Sequence, residues 1–122
     1  IMFTLELEEK LRQKQYETIA VSCHPGVTLT NLSRYMPKIV TNVLLTKIMN
    51  SLVFHSPYKA AMTALMAATG PNVKGGDFVG LDTKKQYRGR PKVVKPNQLA
   101  CDKELREILW RKSVEITGVD LP

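Results

Sequence analysis

Thr18-Ile19-Ala20-Val21-Ser22-Cys23-His24-Pro25-Gly26-Val27-Thr28-Leu29-Thr30 is the stretch on which the fold turns. Residues 18–23 form a short apolar run with Ile and Val, bounded by a polar stretch and by Pro25-Gly26. Such a run predicts a strand buried on both faces, as in a parallel sheet. Proline and glycine then end it, because proline has no N–H to pair and glycine reaches backbone conformations that other residues avoid. Ligands of open α/β sheets sit beyond the carboxyl ends of the strands, which is where residues 24–30 fall.

Upstream, residues 1–13 (IMFTLELEEKLRQ) predict a helix. Phe3, Leu7 and Leu11 fall on one flank and Ile1, Met2 and Leu5 on another, with Glu6, Glu9 and Lys10 between them; a helix of this kind is usually covered twice. Downstream, residues 28–55 are long, mixed and partly amphipathic. Ser56-Pro57 opens a further helix with serine as N-cap and proline at the first position. Tyr58, Ala61, Met62, Leu65, Met66 and Thr69 follow its helical rhythm until Gly70-Pro71. Gly75-Gly76 leads into a very short strand, Asp77–Gly80, and a basic turn region runs on to Pro96. Asp102 can cap a last helix in which Leu105, Ile108, Leu109, Lys112 and Ile116 share a face, ended by Gly118. Helix, strand, helices, strand, helix is the order of an α/β layer architecture.

The 122 residues suit a single domain, and 43% hydrophobic content is ordinary for a globular one. Ile1 opens inside a helical pattern without a cap, so the left edge reads as a cut through a longer protein. A formal charge of +7 raises nucleic acid or an anionic membrane as partners. The dense group Lys84, Lys85, Arg88, Arg90, Lys92 and Lys95 holds one aromatic, Tyr87, and no helix-turn-helix, zinc-finger or RNA-binding signature accompanies it. It reads as solvated surface, with no nucleic-acid partner. Cys23 and Cys101 lie far apart and read as reduced thiols of a cytoplasmic protein.

His24-Pro25-Gly26-Val27-Thr28-Leu29-Thr30 resembles the Pro-Gly-x-x-x-Thr segment of the short-chain dehydrogenases/reductases. Its neighbours carry the resemblance further. IMFTLELEEKL is similar to the second half of the helix that follows the family's Tyr-x-x-x-Lys motif, and SPYKAAMTALMAAT to the helix before its last strand. GGDFVGLDTKKQYRGRPKVV, Leu109-Trp110 and Thr117-Gly118-Val119 resemble the end of the retinol-dehydrogenase-like branch. The resemblance implies that residues 1–122 are the carboxyl-terminal portion of one such domain. Its fold would be part of a Rossmann-like, doubly wound parallel sheet, with two candidate strands and flanking helices.

The same resemblance implies an oxidoreductase that moves a hydride between NAD or NADP and a small-molecule alcohol or carbonyl. Pro25, Gly26, Val27 and Thr28 would lie along the nicotinamide, with the Thr30 hydroxyl near the carboxamide or pyrophosphate. The competing reading is a plain strand-to-loop turn with Thr30 capping a short helix. His24 takes a positioning or packing role, since no carboxylate adjoins it in sequence. Residues 28–55 correspond to the family's substrate-binding segment. There Met36, Ile39, Val40 and Leu44 suit an apolar substrate, with core packing or a shallow membrane contact as alternatives.

The catalytic pair is missing. Four positions after Tyr16, Tyr35, Tyr58 and Tyr87 stand Ala20, Ile39, Met62 and Pro91, so the chain has no Tyr-x-x-x-Lys, and no Gly-rich loop cradles a pyrophosphate. The isolated chain is therefore expected to be inactive. A homodimer through the first helix suits the intact parent. Two other readings stay open: a truncated, non-catalytic interaction protein, and a small basic module for nucleic acid or membrane.

Overall fold

A computed structural model of the chain describes residues 1–28 and 56–122. The elements run α1 (Met2–Gln13), β1 (Ser22–Cys23), α2 (Pro57–Thr69), β2 (Phe78–Leu81), β3 (Pro91–Val94), a 3₁₀ turn (Gln98–Cys101) and α3 (Lys103–Thr117). The architecture is α/β, as the pattern predicts. The sheet has three strands among the described residues, in the order β1-β2-β3, and it is mixed. β1 pairs with β2 in parallel, Ser22 opposite Phe78, and β3 pairs with β2 antiparallel, Leu81 opposite Pro91.

β2 is the centre, with all four residues buried and Val79 at 0% exposure. Beside it, the ladder to β1 reaches past the two formal strand residues. Gly76 N–H donates to Ala20 O (2.8 Å), Ser22 N–H to Asp77 O (3.1 Å) and His24 N–H to Val79 O (2.9 Å). The expected strand over 18–23 is thus shorter, and it is not buried on both faces: Ile19 and Cys23 are exposed. β3 corrects the reading of the basic region as turns alone. As an edge strand bearing Pro91 and Lys92 it has the marks that discourage further pairing.

The helix ends follow the sequence. Ser56 Oγ accepts from Lys59 N–H (3.4 Å), Asp102 Oδ1 accepts from Leu105 N–H (3.1 Å), and Gly118 closes α3 with a φ of 68°. The buried faces do not. In α2 the fully buried residue is Thr63, whereas Tyr58 is 77% exposed and Met62 and Leu65 are exposed. In α3, Arg106 and Trp110 are buried, while Leu105, Ile108 and Leu109 are exposed and Ile116 is 82% exposed.

The reason lies in what α3 meets. It packs on α1, and the polar strip between the two apolar flanks of α1 is where it docks. Arg106 Nη2 donates to Glu9 Oε2 (3.0 Å), and its Nε stands 3.9 Å from Glu6 Oε2. Lys103 Nζ reaches Glu9 Oε1 at 2.9 Å and Lys10 Nζ reaches Glu6 Oε1 at 3.5 Å. Beside this seam Trp110 stacks on Phe3 (centroids 4.9 Å apart, planes 21°), and its Nε1 donates to Asp120 Oδ1 (3.0 Å). On the other side of α1, Glu8 ties the helix to β1. Its Oε2 accepts from Ala20 N–H (2.7 Å), and a Cβ at Gly75 would collide with the same carboxylate.

Two outcomes follow for this layer. Arg106→Ala takes the buried guanidinium from Glu9 and leaves the buried Glu6 carboxylate with Lys10 alone; it is expected to cost about 1–3 kcal/mol in urea unfolding, whereas a joint Glu6→Leu/Arg106→Leu change recovers most of that loss. A loss below about 1 kcal/mol for the single variant, the range of an exposed pair, would contradict this account. The hydrogen bond from Lys103, reinforced by Arg106, holds the Glu9 carboxyl below its ordinary range. A depressed folded-state value lends stability above the unfolded-state value, and that stability is lost as pH falls through the folded one. Trp110, the only tryptophan, should therefore report α3 loosening on the acid side, below about pH 4. Glu9→Gln should flatten that dependence; an unchanged acid limb would reject the role of Glu9.

Candidate cofactor site at the end of strand β1

The His24–Thr28 turn is built at the carboxyl end of β1, where β2 ends beside it in the same direction. His24 N–H still belongs to the ladder, on Val79 O. Pro25 cannot extend the pairing, and Gly26 turns the chain with a φ of 81°. Gly26 N–H donates back to His24 Nδ1 (3.2 Å), which gives His24 a part in shaping the turn. Val27 N–H donates to Tyr87 O (2.9 Å). Thr28 follows with its Oγ1 buried and without a hydrogen-bond partner among the described residues.

The missing Cβ of Gly26 serves the protein itself. A Cβ there would lie 2.6 Å from Leu81 Cδ1 and 2.6 Å from Tyr87 O. The N–H groups of His24, Gly26 and Val27 are all engaged within the chain. What the turn still offers is the Thr28 hydroxyl, a buried group whose hydrogen-bonding capacity is open.

Among the predicted site residues, Pro25, Gly26, Val27 and Thr28 come together in this turn. Thr30, Met36, Ile39, Val40 and Leu44 lie outside the described residues. Sequence reasoning missed Leu81 and the Tyr87 carbonyl, which form the opposing wall. Neither has a marker: Leu81 reads as one more strand residue and Tyr87 as a residue of a charged loop. A separate apolar groove of about 700 Å³ lies between α1, α3 and the tail, lined by Phe3, Leu7, Trp110, Val114, Val119 and Leu121 among others. No residue of the 25–28 turn lines it.

Gly26→Ala tests the packing of the turn. It forces an unfavourable φ and a backbone clash together, and should lower stability by about 1–3 kcal/mol or more, read as a fall in the unfolding midpoint. A midpoint equal to the parent's would mean that Leu81 and the 87 carbonyl yield without cost.

No protein-family model matches the chain. It is 29% identical over 119 residues to the human polyprenol dehydrogenase, covering 98% of this chain and 33% of that protein. The mouse polyprenol dehydrogenase is 28% identical over 117 residues, covering 96% and 32%. An uncharacterized oxidoreductase of Schizosaccharomyces pombe is 36% identical over 73 residues, 60% of this chain and 21% of the relative. A crystal structure of an uncharacterized protein from Mycobacterium paratuberculosis superposes with a TM-score of 0.66 at 24% identity, over 99% of this chain and 36% of that one. This last likeness speaks for the fold alone. The chain spans a third or less of the curated relatives it matches, and those relatives are named as oxidoreductases and dehydrogenases.

Proposed function

We propose that the chain forms part of an NAD(P)-dependent short-chain dehydrogenase/reductase that interconverts an apolar alcohol and its carbonyl compound. The observation that carries this reading is the alignment of 98% of the chain with a polyprenol dehydrogenase. The Pro25-Gly26 turn at the carboxyl end of a parallel strand pair supports it. A long-chain alcohol of the polyprenol kind is the substrate class, by analogy with the human and mouse relatives. The readings as a non-catalytic interaction protein or a nucleic-acid module draw no support from these relatives.

In this reading the nicotinamide, when bound, supplies or accepts the hydride. The chain's own part is to hold it. The Thr28 hydroxyl, buried and without a partner, is the group of the turn that would meet a carboxamide once uncovered, and Thr30 is the second hydroxyl of the motif. Gly26 and Val27, packed against Leu81 and bonded to Tyr87, present a wall already formed in the free chain. No described residue here takes the proton-transfer role, because no tyrosine of the sequence is followed four positions later by lysine.

The parent protein, given NAD⁺ or NADP⁺ and a panel of short and long-chain alcohols, should show the absorbance change of nicotinamide reduction. No change with any alcohol, or with aldehydes and ketones in reverse, would overturn the assignment. Thr28→Val should raise the cofactor KM by about two- to tenfold, the worth of one hydrogen bond, with kcat little altered. Thr30→Val should act in the same direction. A rise confined to the substrate KM would place both hydroxyls elsewhere.

A further inference from the structure

The positive charge of this protein is concentrated in one part of the chain. Residues 18–101 hold eleven Lys and Arg against two acids, Asp77 and Asp82, a net of +9; the remaining residues hold seven against nine, a net of −2, which together make the +7 of the whole. The α1–α3 layer is thus balanced by its own ion pairs. The β2–β3 connection is not.

Lys84, Lys85 and Arg90 are exposed there, Lys92 is exposed on β3 and Lys95 just past it, and none has an ion pair among the described residues. Residues 29–55 contain no Asp or Glu that could neutralise them. Asp82, the acid of the connection, is committed to the backbone: its Oδ1 accepts from Arg90 N–H at 2.9 Å. The connection is also held in one shape. Asp82 N–H donates to Arg90 O (3.0 Å) and Gln86 N–H to Thr83 O (3.0 Å). Lys84, Lys92 and Lys95 line a concavity of about 410 Å³ together with Leu81 and Val93.

We propose that this hairpin docks the protein electrostatically on an anionic membrane, through the phosphates of lipid headgroups, and so brings the 25–28 turn to the lipid surface. Five exposed cations without an ion pair, on and beside one hairpin, complement such a surface, and each lysine or arginine near it adds to binding. The exposed Val93 adds an apolar contact beside them. A nucleic acid is matched less well, because the loop carries no helix for a groove and one aromatic, Tyr87, for stacking.

The coupling to the site is direct. Tyr87 O holds Val27 N–H, and Leu81 fills the space over Gly26, so the base of the hairpin packs directly on the turn. The placement of the site rests on the functional reading above, since a polyprenol-like alcohol resides in the bilayer and must be met there.

Flotation with phosphatidylcholine vesicles, with and without phosphatidylserine, tests the proposal without cofactor or substrate. Its failure therefore leaves the dehydrogenase reading intact, and a failed alcohol assay leaves the docking surface intact. The protein should float with the anionic vesicles at low salt and be released at high salt. Lys84→Gln/Lys85→Gln should lower partitioning by about fivefold per lysine removed. Arg111→Gln/Lys112→Gln removes the same net charge from exposed positions of α3 and should leave partitioning unchanged. Equal binding to neutral vesicles, or equal loss in both double variants, would overturn the proposal. So would tighter capture by duplex DNA than by anionic vesicles at the same salt.

Discussion

Strand β2 is the constraint on which the candidate site depends. Its four residues are buried, and it pairs on both sides, in parallel with β1 and antiparallel with β3. Through Val79 O it fixes His24, and through the Leu81 side chain it fixes how closely Gly26 can approach. The turn therefore takes its shape from a strand more than fifty residues later in the chain. The β2–β3 connection adds the second tie through Tyr87 O, so a charged loop and an apolar strand share the task of holding one glycine in place. A buried strand with neighbours on both sides has little freedom to yield, and that rigidity passes to the turn.

The α1–α3 layer is held by a different kind of force. Glu6, Glu9, Lys103 and Arg106 make a polar seam inside a helix pair that would otherwise rest on the Phe3–Trp110 stack. A buried ion pair contributes little net stability, because taking both charges out of water costs about as much as their attraction returns. Its effect is on registry. Arg106 can meet both carboxylates at one offset of the two helices, and that offset places Trp110 over Phe3 and its Nε1 against Asp120. In this account the ion pairs choose the alignment and the aromatic stack supplies the adhesion.

The parts legible in the sequence were those set by local chemistry. Ser56-Pro57, Asp102 and Gly118 marked helix ends because capping is decided within a few residues. Pro25-Gly26 marked the turn for the same reason. What escaped was decided by distant partners. The stripes of α2 and α3 chosen for hydrophobicity, Tyr58 to Leu65 and Leu105 to Ile116, are exposed, while Thr63, Glu6 and Arg106 are buried. A polar residue that pairs inside reads in sequence as a polar residue outside. β3 was hidden by its proline and lysine, which suit an edge strand and read as a turn. Leu81 and Tyr87 were invisible as site residues because only the folded sheet brings them to Gly26.

The use of the backbone donors at residues 24, 26 and 27 also narrows what this turn can do for a ligand. A turn that must recruit its own N–H groups to a ligand has to reorganise, and the ordering reduces affinity. Here those groups are engaged before any ligand arrives, so the turn acts as a fixed wall and the remaining recognition falls to side chains and carbonyls. Of these, the Thr28 hydroxyl stands out because burial without a partner is unfavourable, and a ligand that accepts or donates there relieves the cost. The same wall is joined to the cationic hairpin by the Val27–Tyr87 bond. The turn and the cationic hairpin are thus in direct contact, so a surface that binds the hairpin lies beside the turn.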